Sequence, residues 1–268
     1  MNKTSRLFSV VALVLAAIIF LLSGLLLGGS CLAGLIFLGS ENTAGSPEDN
    51  DGLILGAPDP APDPNAPPLL SEALSALLTE GGVEASDLAA AECRQLVLVS
   101  AEGSNAEIRF FFAQDGVWTE ETDFSASGFV GVLGTGEAAE GKKMTPAGFF
   151  TINEAFYTKD APKTRLESFQ ITEDTYWVDD PESAYYNTRV EGTADKDWSS
   201  AEHMLDYAGY RYGFTIGYNP ECIPGKGSAI FFHISDRPTA GCVGASEQTV
   251  VNLLSVLNPE DNPHILIF

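Results

Sequence analysis

The feature that most constrains this chain is an apolar run, Leu7–Leu38, that no charged residue interrupts. A helix needs about 20 such residues to span a bilayer, whereas the apolar core of a cleavable signal peptide needs only about 7–15. The length therefore predicts an uncleaved signal anchor, a transmembrane helix within residues 1–40. Lys3 and Arg6 precede the run, the next basic residue is Arg94, and Glu41, Glu48, Asp49 and Asp51 follow it. That asymmetry predicts a cytoplasmic N-terminus and a single-pass membrane protein with everything beyond residue 40 outside. Two other fates compete. Cys31 follows Leu27-Gly28-Gly29-Ser30, a loose lipoprotein cleavage box with Gly28 where Leu is expected, and Ser30–Gly34 could be an ordinary cleavage region that yields a secreted chain. Failing both, Cys31 is a small apolar residue of a membrane helix.

The composition changes abruptly after the run. Pro58, Pro60, Pro62, Pro64, Pro67 and Pro68 alternate with Asp and Ala, which predicts an extended, semi-rigid acidic linker over 41–68. Residues 69–268 remain as the folded domain. The chain carries 14 Lys+Arg against 37 Asp+Glu, a net charge of −23. Such a balance argues against nucleic acid as a partner, because phosphate binding needs basic side chains, and against docking on anionic lipid through a basic patch. With 4 Cys in 268 residues, this is no disulfide scaffold.

Within 69–268 the pattern predicts an amphipathic helix over Leu70–Leu78, stopped at Gly81-Gly82, and a short helix with Ser86 as its N-cap. Strand-like segments follow: Gln95–Val99, Glu107–Phe112, Gly116–Trp118, Phe129–Leu133, Gly148–Ile152, Tyr176–Val178, Tyr212–Tyr218, Ala229–Ile234 and His264–Phe268. One further helix is expected after Ser246, with Val250, Leu253, Leu254 and Leu257 at helical spacing and Pro259 as its stop. Many short strands and few helices predict a mainly β fold, a β-sandwich or barrel. Gly136–Lys143 nearly matches a phosphate-binding loop, but Lys143 stands where Ser or Thr should hold a metal, and Glu137 and Glu140 would repel phosphate.

The segment with chemical potential is Gly227–Val243. A buried strand ends at His233, a polar loop with Pro238 follows, and Thr239-Ala240-Gly241 turns into Cys242. The spacing predicts that Cys242 sits just before a helix, where the helix dipole would favour its thiolate. His233, nine positions earlier, could take the thiol proton, and Gly241 could aim backbone N–H groups at an oxyanion. The bland alternatives are a buried Cys, a structural His at a strand end, or a disulfide between Cys242 and Cys222 or Cys93.

The run His233…Thr239-Ala240-Gly241-Cys242-Val243 resembles the active-site signature of the L,D-transpeptidase (YkuD-type) catalytic domain, a His, a loop and then Ser/Thr-His-Gly-Cys before an apolar residue. Gly131–Gly134, Glu140-Gly141, Thr145–Phe150, Tyr186-Asn187, Tyr218-Asn219 and Lys226–Ser228 also look like the family, so that the resemblance covers about Gln95 to Phe268. It implies a β-sandwich or barrel-like domain with Cys242 as nucleophile on a loop at a cleft, His233 as base, and Gly241 and Cys242 N–H groups at the oxyanion. It also implies a cell-wall transferase in peptidoglycan biosynthesis and cell shape. Cys242 would attack the bond between the third, diamino residue of a peptidoglycan stem tetrapeptide and the terminal D-Ala. D-Ala leaves, and an amine resolves the acyl-thioester as a 3–3 crosslink. No metal or organic cofactor is implied, and carbapenem-type β-lactams are expected to acylate the same Cys.

Two positions depart from the family pattern. Ala240 stands where the second His belongs, and Gly244 where an Arg or Asn is common. The carboxylate-recognising role must then come from elsewhere, with Lys226, Arg237 and Arg211 as candidates. A hydrolase (carboxypeptidase or amidase) using the same Cys and His, and a wall-binding module with an inert Cys242, are the alternative functions. His203 is expected on a surface helical turn; Trp118, Trp177 and Trp198 in the core or a cleft wall; Cys93 and Cys222 as a possible structural disulfide.

Overall fold

The computed structural model describes residues 66–268. The expected membrane anchor, the fate of Cys31 and nearly all of the Pro-rich linker lie outside the described residues. Among the described residues no helix is long and apolar enough to cross a membrane.

The domain opens with helix α1, Glu72–Glu80, and helix α2, Ala85–Ala90. Ser71 is extended and its hydroxyl accepts the Leu74 N–H, so α1 starts two residues later than expected. Glu84, not Ser86, caps α2: its backbone N–H donates to Asp87 in a reciprocal capping box. The strands then follow in order. Strands β1 (Gln95–Glu102), β2 (Asn105–Gln114), β3 (Val117–Glu120) and β4 (Ala126–Phe129) come first. The tight turn between β2 and β3 places Asp115 and Gly116 at positive φ, as the Asp-Gly pair predicts. A short pair, β5 (Thr135–Gly136) and β6 (Thr145–Pro146), leads to β7 (Gly148–Tyr157) and β8 (Ser168–Gln170). Strands β9 (Thr175–Val178), β10 (Arg189–Glu191) and β11 (Ala201–His203) form a separate three-stranded sheet, so His203 ends a strand rather than sitting on a helical turn. Then come β12 (Tyr212–Ile216), β13 (Phe231–Ile234), β14 (Val243–Ala245), helix α3 (Glu247–Val256) and β15 (His264–Ile267).

The main sheet closes. Its order runs β1-β15-β7-β12-β13-β14-β4-β2, and β2 pairs back onto β1; β3 and β8 hang from β2 and β7. The expectation of a mainly β, barrel-like fold with few helices therefore holds for the described residues. Closure leaves no free edges on the ring, so its backbone groups are paired around the circuit.

Strand parity sorts the side chains. From β1, Val97 and Val99 join Ile108, Phe214, Phe232, Val243 and Ile265 in one core cluster, into which α3 lays Val250, Leu253 and Leu254. The opposite parity, Leu96 and Leu98, packs with Leu74 and Leu78 of α1 and Leu88 of α2. Both faces of β1 are covered, which is why its sequence is continuously apolar rather than alternating. A third cluster holds Phe156, Phe169, Tyr210, Phe231 and Cys242.

Cys93 and Cys222 do not pair. Cys93 is buried under α1 and α2 and its thiol donates to the Gln95 carbonyl at 3.3 Å, whereas Cys222 sits half-buried on the turn after β12. Burial pushes the Cys93 thiol up to about 12. Alkylation of the native protein at pH 8, followed by peptide mapping, should label Cys222 and leave Cys93 unmodified until the chain is unfolded; a recovered Cys93–Cys222 bridge would contradict the structure. Phe232 is fully buried and stacks on Phe214 with ring centroids 4.8 Å apart. Phe232→Ala should lower stability by about 3–5 kcal/mol in urea unfolding, whereas Val117→Ala, at an exposed position, should cost about 0.5 kcal/mol or less.

Candidate active site

Strands β13 and β14 run parallel, with Phe232 opposite Val243 and His233 opposite Gly244. Cys242 immediately precedes β14 and is therefore level with Phe231. His233 lies two residues further along β13, a rise of about 6.6 Å, and projects to the same face as Phe231. Cys242 and His233 both line one open cleft of about 960 Å³.

The expectation that Cys242 sits just before a helix does not hold. It enters β14, and α3 begins only at Glu247, after the strand. The helix dipole is thus withheld from the sulfur, and other contacts set its state. The Cys242 thiol is buried; it donates to the Ala229 carbonyl at 3.3 Å and accepts the Phe231 N–H at 3.4 Å. Burial above all, and then the field of Glu202, push it up to about 12, against the Phe231 N–H and the Tyr210 hydroxyl. Cys242 is free of any disulfide.

The half-buried His233 ring meets the Tyr210 ring edge-on at 5.0 Å, and its Nδ1 lies 2.9 Å from the Ile234 carbonyl. A carbonyl can only accept, so Nδ1 carries the proton and Nε2 keeps its lone pair. Burial lowers the imidazole to about 4, opposed by that backbone bond. Between about pH 5 and pH 9 both groups are therefore neutral. No hydrogen bond joins His233 to Cys242 among the described residues.

Hydroxyls hold the bend before the sulfur. Thr239 Oγ1 donates to the Cys242 carbonyl and accepts the Gly241 N–H at 3.2 Å. Thr145 Oγ1 donates to the same carbonyl at 3.1 Å and accepts the Gly131 N–H at 2.7 Å. Gly241 has φ 156°, and an added Cβ would meet Ile230 Cδ1 at 3.3 Å. Gly244 is closed in from the other side: a Cβ there would lie 2.5 Å from Ser235 Cβ, so this strand has no room for an Arg or Asn two positions after the Cys.

Of the expected binding residues, Arg237 lines the cleft, exposed and paired with Asp236 at 2.8 Å. Lys226 and Arg211 do not line it. Lys226 lies over the Tyr218 ring, and Arg211 pairs with Glu247 at 3.2 Å. Six acidic residues line the cleft, Glu140, Asp179, Glu202, Asp206, Asp236 and Glu247, against Lys143 and Arg237.

The sequence reading named Asn187 and Glu140 as part of the resemblance, with no role in the site, and it missed Tyr210, Glu202 and Asp179. Asn187 uses its whole amide: Nδ2 donates to the Tyr218 and Asn219 carbonyls, and Oδ1 accepts from Trp177 Nε1 and the Ala229 N–H. It thereby fixes the residue whose carbonyl receives the Cys242 thiol. Glu140 accepts from Tyr186 at 2.7 Å and Ser228 at 2.8 Å. Tyr210 donates to Glu202 at 2.7 Å. The adjacent Tyr186-Asn187 pair was a usable signal, but nothing in the local pattern marks Tyr210, Glu202 or Asp179.

Residues 109–265 match the family model described as YkuD, the L,D-transpeptidase catalytic domain. No curated protein matches the chain. Among solved structures the chain is similar to the helical cell shape determining protein Pgp2 from Campylobacter jejuni, at 15% identity and a TM-score of 0.35, over 65% of this chain and 46% of that one. This chain thus spans less than half of that neighbour's length. The matched residues run from β2 to β15 and include the whole of the cleft described above, and the chain belongs to the YkuD family of L,D-transpeptidase catalytic domains.

Proposed function

We propose that the chain is a peptidoglycan L,D-transpeptidase in which Cys242 is the nucleophile and His233 its base. The observation that carries this reading is that an unbridged thiol and an imidazole with a free Nε2 line one open cleft. With both groups neutral at rest, no standing thiolate–imidazolium pair is invoked. His233 Nε2 takes the proton as Cys242 Sγ attacks the carbonyl between the diamino residue and the terminal D-Ala of a tetrapeptide stem. The Cys242 N–H is the donor proposed for the oxyanion; the Gly241 N–H joins it only by leaving Thr239 Oγ1. D-Ala departs with a proton, an acyl-thioester remains, and an amine of a second stem resolves it as a 3–3 crosslink. The free β-lactam carbonyl of a carbapenem is open to the same attack.

We further infer from the charge asymmetry around residues 7–38 that this domain works outside the cytoplasmic membrane on a tether. A membrane-impermeant maleimide should label Cys222 in intact cells; labelling only after lysis would place the domain inside.

The full-length protein in detergent, given a disaccharide-tetrapeptide, should release D-Ala and form a dimer. Tripeptide alone would assign the hydrolase reading instead. Neither product, with no carbapenem adduct, would leave a binding module. Cys242→Ala should abolish both adduct and turnover, whereas Cys222→Ser should leave both measurable. Activity surviving in Cys242→Ala would overturn the nucleophile assignment.

The pH profile follows from the sign of the His233 shift. An ordinary imidazole, near 6.5, would lose about twentyfold or more of its base form between pH 7 and pH 5. A base lowered to about 4 keeps that form throughout the interval. The rate of carbapenem acylation should therefore fall by less than about threefold from pH 7 to pH 5.

A further inference from the structure

The second half of the proposed reaction needs a group that the first half does not use. An amine arrives as R–NH3⁺, and about one molecule in a thousand of an alkyl ammonium near 10.4 is the free base at neutral pH. His233 Nε2, a free base again once D-Ala has left with the proton, serves to return one ammonium proton to the departing sulfur, so the other proton that the ammonium must lose needs a second acceptor. The same cleft is lined by Glu202, the middle residue of the edge strand β11, and by Asp179, which follows β9. Glu202 is held in place by the Tyr210 hydroxyl at 2.7 Å, and Tyr210 packs edge-on against His233 and Phe231. Asp179 Oδ1 is buried and has no hydrogen-bond partner among the described residues. No Lys, Arg or His forms an ion pair with Glu202, Asp179 or Glu140 among those residues. Two carboxylates facing a cleft, one with an unfilled buried acceptor, are chemically suited to a cation that is absent from the chain itself.

We propose that Glu202, assisted by Asp179, binds the ammonium of the acceptor stem and serves as the catalytic base of the transfer step. This rests on the L,D-transpeptidase reading. The ammonium docks on the pair; as its nitrogen forms the bond to the thioester carbon, Glu202 takes one proton. The C–S bond breaks, His233 Nε2 passes a second proton from the nitrogen to the Cys242 sulfur, and the third hydrogen stays on the new amide. The positive charge of the ammonium cancels the carboxylate's negative one, so charge and atoms balance without any further reactant.

Protonation supports the geometry. Burial, with Asp179 and Glu140 adding to it and the Tyr210 hydroxyl opposing, brings Glu202 up to about 7, where a base acts well at neutral pH. The groups facing it are Tyr210, Tyr207, Asp179, Glu140 and Cys242. Its field also holds the thiol protonated. Glu202→Gln therefore has opposite expected effects on the two half-reactions.

In the full-length protein with a disaccharide-tetrapeptide, Glu202→Gln should speed carbapenem acylation and lower the dimer-to-tripeptide ratio at least tenfold. The wild-type ratio should rise through about pH 7 and level off; Glu202→Gln should lose that inflection. Tyr210→Phe, which keeps the ring and removes the hydroxyl that lowers Glu202, should move the inflection to higher pH. An unchanged ratio in Glu202→Gln, or acylation and transfer falling together, would overturn the assignment. If that variant fails to fold, an unmoved inflection in Tyr210→Phe would overturn it equally. No D-Ala release by the wild type would sink the transpeptidase reading and this role with it, whereas release with an unchanged ratio sinks the role of Glu202 alone.

Discussion

The parallel pairing of β13 with β14 is the constraint on which the rest depends. It completes the circuit of the main sheet, and it sets Cys242 level with Phe231 and His233 level with Gly244. Parallel neighbours ordinarily need a long crossover. Here the return is a short loop that leaves the sheet, bridges Gly131 through Thr239, and comes back at Gly241. Two hydroxyls, of Thr145 and Thr239, meet the Cys242 carbonyl and hold that return in register. Because a slip of one residue would turn Cys242 to the other face of the sheet, the position of this thiol is a property of barrel closure.

Electrostatics sets the resting state of the cleft. Around the sulfur, burial dominates, so the thiol and the imidazole rest neutral and reactivity waits for the substrate. In the same cleft, burial first and then the charges of Asp179 and Glu140 raise Glu202, and Asp179 Oδ1 is left without a hydrogen-bond partner among the described residues. The same negative field that suppresses the thiolate is one a bound cation would relieve.

The longer strands, the helix after Ser246 and the Cys–His loop were legible because each has a local signature: apolar runs between turns, a capping Ser before a 3.6-residue period, and a spaced motif; short strands such as β5, β6, β8, β10, β11 and β14 carry no such run, and the strand expected over Phe129–Leu133 lies instead at Ala126–Phe129. The misreadings have local causes too. The helix after Ser246 starts where its cap predicts, but Val243–Ala245 pairs with β13 and β4 in between, and this unforeseen strand separates Cys242 from the helix N-terminus. Cys93 and Cys222 were plausible partners by compartment alone; their separate packing sites decided otherwise. Gly136–Lys143, read on its sequence as a failed phosphate-binding loop, supplies Glu140 and Lys143 to the cleft. Lys226 and Arg211 were chosen for charge and proximity along the chain, and neither property says which way a side chain faces.

By itself, then, the sequence determined the nucleophile and base candidates, the mainly β architecture and the expectation of an anchored, tethered domain, since periodicity, motif spacing and apolar length act over short stretches of chain. Only the tertiary structure decided the neutral resting state of Cys242 and His233, the anchoring of the bend by Thr145, the brace at Asn187, and the acidic wall of Glu202 and Asp179. Burial and electric field are sums over atoms that lie far apart in sequence, so no window along the chain contains them.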